Sequence, residues 1–110
     1  PNRAIYEVIR AHGDWDKPVV FSEIGYSDIF VSGEVLSEYL LDTFQLARDN
    51  FPWLVTIYWF RLIEPYVATI SSINPAGYGL IRMNWEWKIV AYAYNSLIKI
   101  ATDRSQNCKT

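Results

Sequence analysis

Two short runs, VVFSEI at residues 19–24 and WLVTIYWF at residues 53–60, are rich in β-branched and aromatic residues and apolar on both alternating faces. A strand of that kind has no side to turn toward water. It needs cover above and below, which is the signature of a parallel sheet packed on both faces. Parallel strands need a crossover, and the stretch between the two runs supplies one. From Glu34 to Asp49, the residues Val35, Leu36, Tyr39, Leu40, Thr43, Phe44 and Ala47 recur at the spacing of a helix packed on one face. Ser32 or Gly33 can cap that helix, with Glu34 near its positive end, and Asn50 and Pro52 stop it.

The flanks continue the alternation. Residues 3–12 place Ala4, Ile5, Val8, Ile9 and His12 on roughly one helical face, and Gly13 ends the pattern. His12, the one histidine, fits a helix cap better than a catalytic role. Residues 88–101 predict a last helix with Ile89, Val90, Ala93, Tyr94, Leu97 and Ile98 inward. The polar residues 102–110 are expected to fray. The predicted order is helix, strand, helix, strand, helix, an α/β chain with a parallel sheet and right-handed crossovers. Two strands cannot cover their own faces, so this chain is expected to require missing strands, a partner chain or both. It also starts at Pro1 without an initiator Met, a signal region or a visible N-cap, and it reads as a piece of something longer.

Composition narrows the classes. With 110 residues, the chain fits at most one ordinary domain, and 51% apolar with 20% charged residues places it among globular chains. A net charge of −2 without a basic run gives no footprint for nucleic acid. The most apolar segment, WLVTIYWFRLI, is broken by Arg61 and falls short of the ~18 residues that a membrane span needs. Cys108, the single cysteine, has no disulfide partner in the chain and no zinc-ligand neighbours, and reads as inert. Five Trp and eight Tyr imply either a large shared core or a surface that stacks on flat ligands such as sugar rings.

In α/β architectures, polar groups at the C-terminal ends of parallel strands line the ligand crevice. Glu23 stands at the end of the first run, and Arg61 and Glu64 follow the second. From spacing alone, Glu23 is as well explained by an ion pair with a neighbouring Arg, or by capping a backbone amide, as by catalysis.

The stretch KPVVFSEIGYS (residues 17–27) resembles strand seven of retaining glycoside hydrolases with a (β/α)8 barrel, the clan of many cellulases, xylanases and β-glycosidases. IYWFRL resembles their strand eight, YGLIRMNWEWKIVAYAYNSL their closing segment, and NRAIYEVIRAHGDWD the end of helix six. The likeness covers residues 2 to about 100, so that residues 1–101 would be the C-terminal segment of such a barrel. It departs at Tyr26, where the family often has Trp, at Glu64, where it often has Asp, and at Ile89, where Pro usually follows the closing Lys. The last change touches a capping position.

The resemblance implies a double-displacement glycosidase in which Glu23 is the nucleophile and Trp59 lies under the sugar at the cleavage point. Tyr26 would reach the cleft rim. Arg61 is the cation proposed to keep Glu23 ionised, and Glu64, on a loop taken to be mobile, could approach it. No cofactor or metal is implied. The partner would be a carbohydrate, and an extracellular location is favoured. Such chemistry needs two carboxyl groups roughly 5–5.5 Å apart. The family's acid/base Glu follows an Asn on strand four, and no such strand precedes Glu23 here.

Other side chains are expected to pack. Ser22 alternates with Glu23 and should face the helices. Tyr39, Phe44, Tyr92 and Tyr94 read as core. Trp85 and Trp87 could line a sugar subsite, but packing is the favoured role. Two further functions stand beside the enzyme: a non-catalytic carbohydrate-binding or structural descendant of the barrel, and an unrelated α/β domain in which Glu23 is salt-bridged.

Overall fold

The computed structural model describes residues 2–65 and 76–107. The expectations for Cys108, for residues 108–110 and for residues 66–75 of the long loop lie outside the described residues. The chain is α/β. In order it forms α1 (Asn2–Ala11), β1 (Val19–Ile24), α2 (Gly33–Asn50), β2 (Leu54–Trp59) and α3 (Ile89–Asn107). The two strands pair in parallel, with α2 as their connection.

Local chemistry sets the boundaries. The Ser32 hydroxyl accepts from the Val35 amide at 3.3 Å and opens α2, and the Phe51 amide closes it on the Ala47 carbonyl at 2.9 Å. Gly13 ends α1 in the left-handed region at φ 82°, which glycine adopts without a Cβ penalty. The last helix does not fray at residue 102 but runs to Asn107. Its final turns are exposed, and Arg104 in the last turn complements the negative end of the helix.

Leu36 and Leu40 of α2 pack with Val90 and Ala91 of α3 and with Leu80. Phe44, Trp59, Tyr94 and Leu97 close around them. At the other end of the sheet, Trp53 just before β2 stacks on Tyr6 of α1 with ring centroids 5.1 Å apart and nearly parallel. The edge of Phe21 meets Trp53 at 6.3 Å.

The core is small. Among the described residues, Leu36, Leu40, Leu80 and Val90 are the only buried apolar side chains larger than alanine. The strands, expected to be covered on both faces, are not: Val20, Val55 and Tyr58 are exposed. Ile5 and Val8 of α1, Ile89 and Ile98 of α3, and the expected core tyrosines Tyr39 and Tyr92 are exposed as well. Phe44 and Tyr94 do pack on the core. The apolar pattern of this chain exceeds what two strands and three helices can cover.

Candidate functional site

The register of the sheet decides how Glu23 is presented. Phe21 pairs with Ile57 and Ile24 with Trp59, so Ser22 and Glu23 together oppose the single residue Tyr58. An extra residue in one strand breaks the in-and-out alternation and re-aims the side chains it carries. Ser22 therefore does not turn to the helices as alternation required. Ser22 and Glu23 are both exposed, side by side at the C-terminal end of β1. The Glu23 carboxylate makes no hydrogen bond or ion pair among the described residues.

Beyond the bulge the backbones crowd together. The Phe60 amide donates to the Ile24 carbonyl at 2.7 Å, and a Cβ on Gly25 would run into the Phe60 carbonyl. Glycine is needed there for close approach, which explains why the strand breaks after Ile24. Tyr26 then leans on Tyr39 and Trp59, with ring centroids 5.1 and 5.9 Å away. Trp59 also meets Phe44 at 6.2 Å. Trp59 is thus embedded against α2 and α3, where it supports Tyr26, and does not stand free beneath a cleft.

The most developed polar structure centres on Lys88. Its side chain is 7% exposed, and its Nζ forms an ion pair with Asp28 Oδ2 at 2.9 Å and donates to Glu64 Oε2 at 2.7 Å. Glu64 also accepts from the Gly77 amide through Oε1 and from the Gly79 amide through Oε2 at 3.0 Å. Burial pushes the Glu64 carboxyl up. The Lys88 hydrogen bond, the Gly77 amide, the Lys88 charge and the Gly79 amide together outweigh it and hold the carboxyl below its ordinary value. Ser27 completes the assembly by donating to the Ala76 carbonyl at 2.8 Å and accepting from the Ile29 amide at 3.2 Å. The loops that leave both strands and the start of α3 are thereby tied at one point.

Around Glu64 the described residues 61–64 are accordingly held by hydrogen bonds to residues 77–81 and by Lys88, where a mobile loop beside Pro65 was expected. The backbone bonds include Arg61 N to Tyr78 O at 3.1 Å, Leu80 N to Arg61 O at 3.0 Å, and Glu64 N to Ile81 O at 2.8 Å. The same contacts engage both Glu64 oxygens within the loop. Arg61 bends onto its own segment, donating from Nε to the Ile63 carbonyl at 3.1 Å with its guanidinium over the Phe60 ring. It forms no ion pair with Glu23. Among the described residues no cluster of His, Cys, Asp and Glu is arranged to hold a metal ion, and no helix is long and apolar enough to cross a membrane.

Comparison with protein-family models, curated proteins and solved structures finds no match to this chain.

Lys88, Asp28 and Ser27 were not among the residues that the sequence marked for a site; the capping position it marked was Ile89, next to Lys88. A signal was present. A lysine at the N-terminal edge of a helix faces the positive end of the dipole, and α3 has no acidic residue in its first turn. Such a lysine needs carboxylates from elsewhere, and Asp28 and Glu64 provide them.

Proposed function

We propose that this chain is the C-terminal part of a retaining glycoside hydrolase barrel, and that Glu23 is its nucleophile. One observation carries the reading: an exposed carboxylate with no partner among the described residues sits on a bulge at the C-terminal end of a parallel strand. Burial does not account for it, and neither does pairing among the described residues. Open faces and edges on β1 and β2 are what two strands taken from a larger sheet would present, and further parallel strands would cover them.

In this mechanism the Glu23 carboxylate attacks the anomeric carbon, and the glycosidic oxygen leaves with a proton from an acid/base Glu on another strand. Water activated by that same Glu then releases the sugar. No cofactor enters. Donors that keep Glu23 ionised must come from the rest of the barrel, since Arg61 and Lys88 are engaged elsewhere. Tyr26, at 38% exposure and braced by Trp59, is placed to form the cleft rim. Glu64 acts by holding the loop beside the cleft. The substrate is a carbohydrate.

A Glu23 with no donor among the described residues equally suits a non-catalytic carbohydrate-binding descendant. Glu23→Gln in the complete protein separates the two. A nucleophile lost in this way lowers turnover by about a thousandfold or more and leaves sugar binding intact. Unchanged hydrolysis would remove Glu23 from the chemistry, and a wild-type protein that binds but never hydrolyses would favour the descendant.

A further inference from the structure

Residues 80–88 form a tight hairpin whose tip lies apart from Glu23 in the sequence and carries unexplained aromatic surface. The Lys88 amide donates to Leu80 O at 3.1 Å, Ile81 bridges to Trp87, and the Arg82 amide donates to Glu86 O at 2.9 Å. At the tip Trp85 takes φ 68°, a left-handed conformation that is a genuine outlier for a bulky side chain. The Trp85 amide donates to the Arg82 carbonyl at 2.9 Å, which holds the turn. The ring that this turn carries is not packed: Trp85 is 70% exposed. Trp87 and Tyr92 lie with centroids 5.2 Å apart and planes at 51°, and they are 44% and 61% exposed. The packing role expected for Trp85 and Trp87 is not what the fold gives them.

We infer that Trp87 and Tyr92 form an accessory binding platform for the pyranose rings of an oligosaccharide. The inference rests on the glycosidase reading only for the choice of sugar, and it assigns that sugar a second contact away from Glu23.

Area selects the occupant. The open portions of Trp87 and Tyr92 amount to roughly 250 Å². A stable protein interface needs about 800 Å² from each partner, so the patch is undersized for a protein and suited to a ligand of one or two rings. Charge agrees. Arg82 and Glu86 at the tip face one another at 3.8 Å, which leaves no net positive field for a phosphate backbone or an anionic membrane. Chemistry agrees as well. A pyranose presents an apolar C–H face that stacks on an aromatic ring and a rim of hydroxyls, and Asn84, Glu86 and Arg82 offer donors and acceptors for that rim. The hairpin is fixed at its base by Lys88, whose partners Asp28 and Glu64 lie on the loops leaving the C-terminal ends of β1 and β2. The platform is therefore tied to the end of the sheet that presents Glu23.

The test is calorimetric titration of the complete protein with cellohexaose, xylohexaose, mannohexaose and maltohexaose, repeated with Trp87→Ala, Trp87→Phe, Tyr92→Ala and Glu23→Gln. At least one hexasaccharide should bind. Trp87→Ala and Tyr92→Ala should each weaken it about tenfold, Trp87→Phe should restore most of the loss, and melting temperatures should stay near the parent's. Failure of all four sugars to bind overturns the proposal, and so does binding by Trp87→Ala equal to the parent's. Iodide quenching that finds Trp87 shielded in the complete protein also overturns it, since the rings would then be core. The arms separate this inference from the glycosidase reading. Binding lost with Trp87→Ala in a protein without hydrolytic activity sustains the platform and sinks the enzyme. Hydrolysis lost with Glu23→Gln while Trp87→Ala leaves KM unchanged does the reverse.

Discussion

Replacing Lys88 by Met tests whether the ion cluster holds the strand-end loops together. Met keeps the apolar stem and removes the charge. Lys88 is buried and pairs with two carboxylates within 2.9 Å, while Asp28 and Glu64 keep 27% and 18% of their side-chain exposure. Removing one partner of a fully buried pair costs about 3–5 kcal/mol, because the charge left behind is unpaired. Here the two carboxylates recover part of their hydration, and Glu64 retains its two amide donors. A loss of about 2–4 kcal/mol is expected. Lys17→Met is the control, because its bond to Asp14 has the same 2.9 Å length but joins groups that are 68% and 50% exposed. An exposed pair contributes about 0–1 kcal/mol. Both variants are measured by urea denaturation followed through Trp fluorescence, with equal m-values required. If Lys88→Met costs no more than Lys17→Met, the cluster does not carry the load argued for it. A double-mutant cycle with Glu64→Gln should return a coupling of about 0.5–3 kcal/mol between the two sites.

Acid should weaken the same cluster. The Glu64 carboxyl lies below its ordinary value in the folded chain, so its contribution is fully present above the unfolded value and is lost as pH falls through the folded one. The stability advantage of the parent over Glu64→Gln should therefore shrink on acidification below about pH 4.3, and urea midpoints that show the gap widening would contradict this. Gly77→Ala should cost roughly 1–3 kcal/mol: Gly77 has φ 81°, and an added Cβ would collide with the Ser27 hydroxyl and approach Asp28 Oδ1 to 2.8 Å. Gly13→Ala, at φ 82° but with open space around it, should cost about 1 kcal/mol, and equal melting shifts for the two would refute the crowding argument. Expressed alone, residues 1–110 should self-associate through the open strands. A monodisperse monomer with one cooperative melt, seen by light scattering and calorimetry, would show that the strands need no further cover.

The order of elements and the place of Glu23 were legible in the sequence because both depend on short-range pattern. The spacing of Leu36, Leu40, Phe44 and Ala47 marks a helix face by itself, and that face is the one packed in the fold. Two β-branched runs with a helix between them imply a parallel pair, and a residue at the end of such a run is delivered to the strand end. The same local rules failed at Ser22. Alternation presumes an unbroken ladder, and the mismatch between Phe21–Ile24 and Ile57–Trp59 is a property of two strands together. Apolar character also overstated burial at Tyr39, Tyr92 and Ile89, since a hydrophobic residue is buried only when some other element arrives to cover it.

By itself, then, the sequence determined the α/β succession, the strand end that presents Glu23 and the packed face of α2. The tertiary structure decided which charges meet. Lys88 finds Glu64 from 24 residues away and Asp28 from beyond α2 and β2 in the chain, and no local spacing specifies such a contact. It decided that Trp59 packs against Phe44 while Trp85 and Trp87 stay in water. Periodicity records what a residue can do within its own turn or strand. Partners and cover depend on where distant segments come to rest.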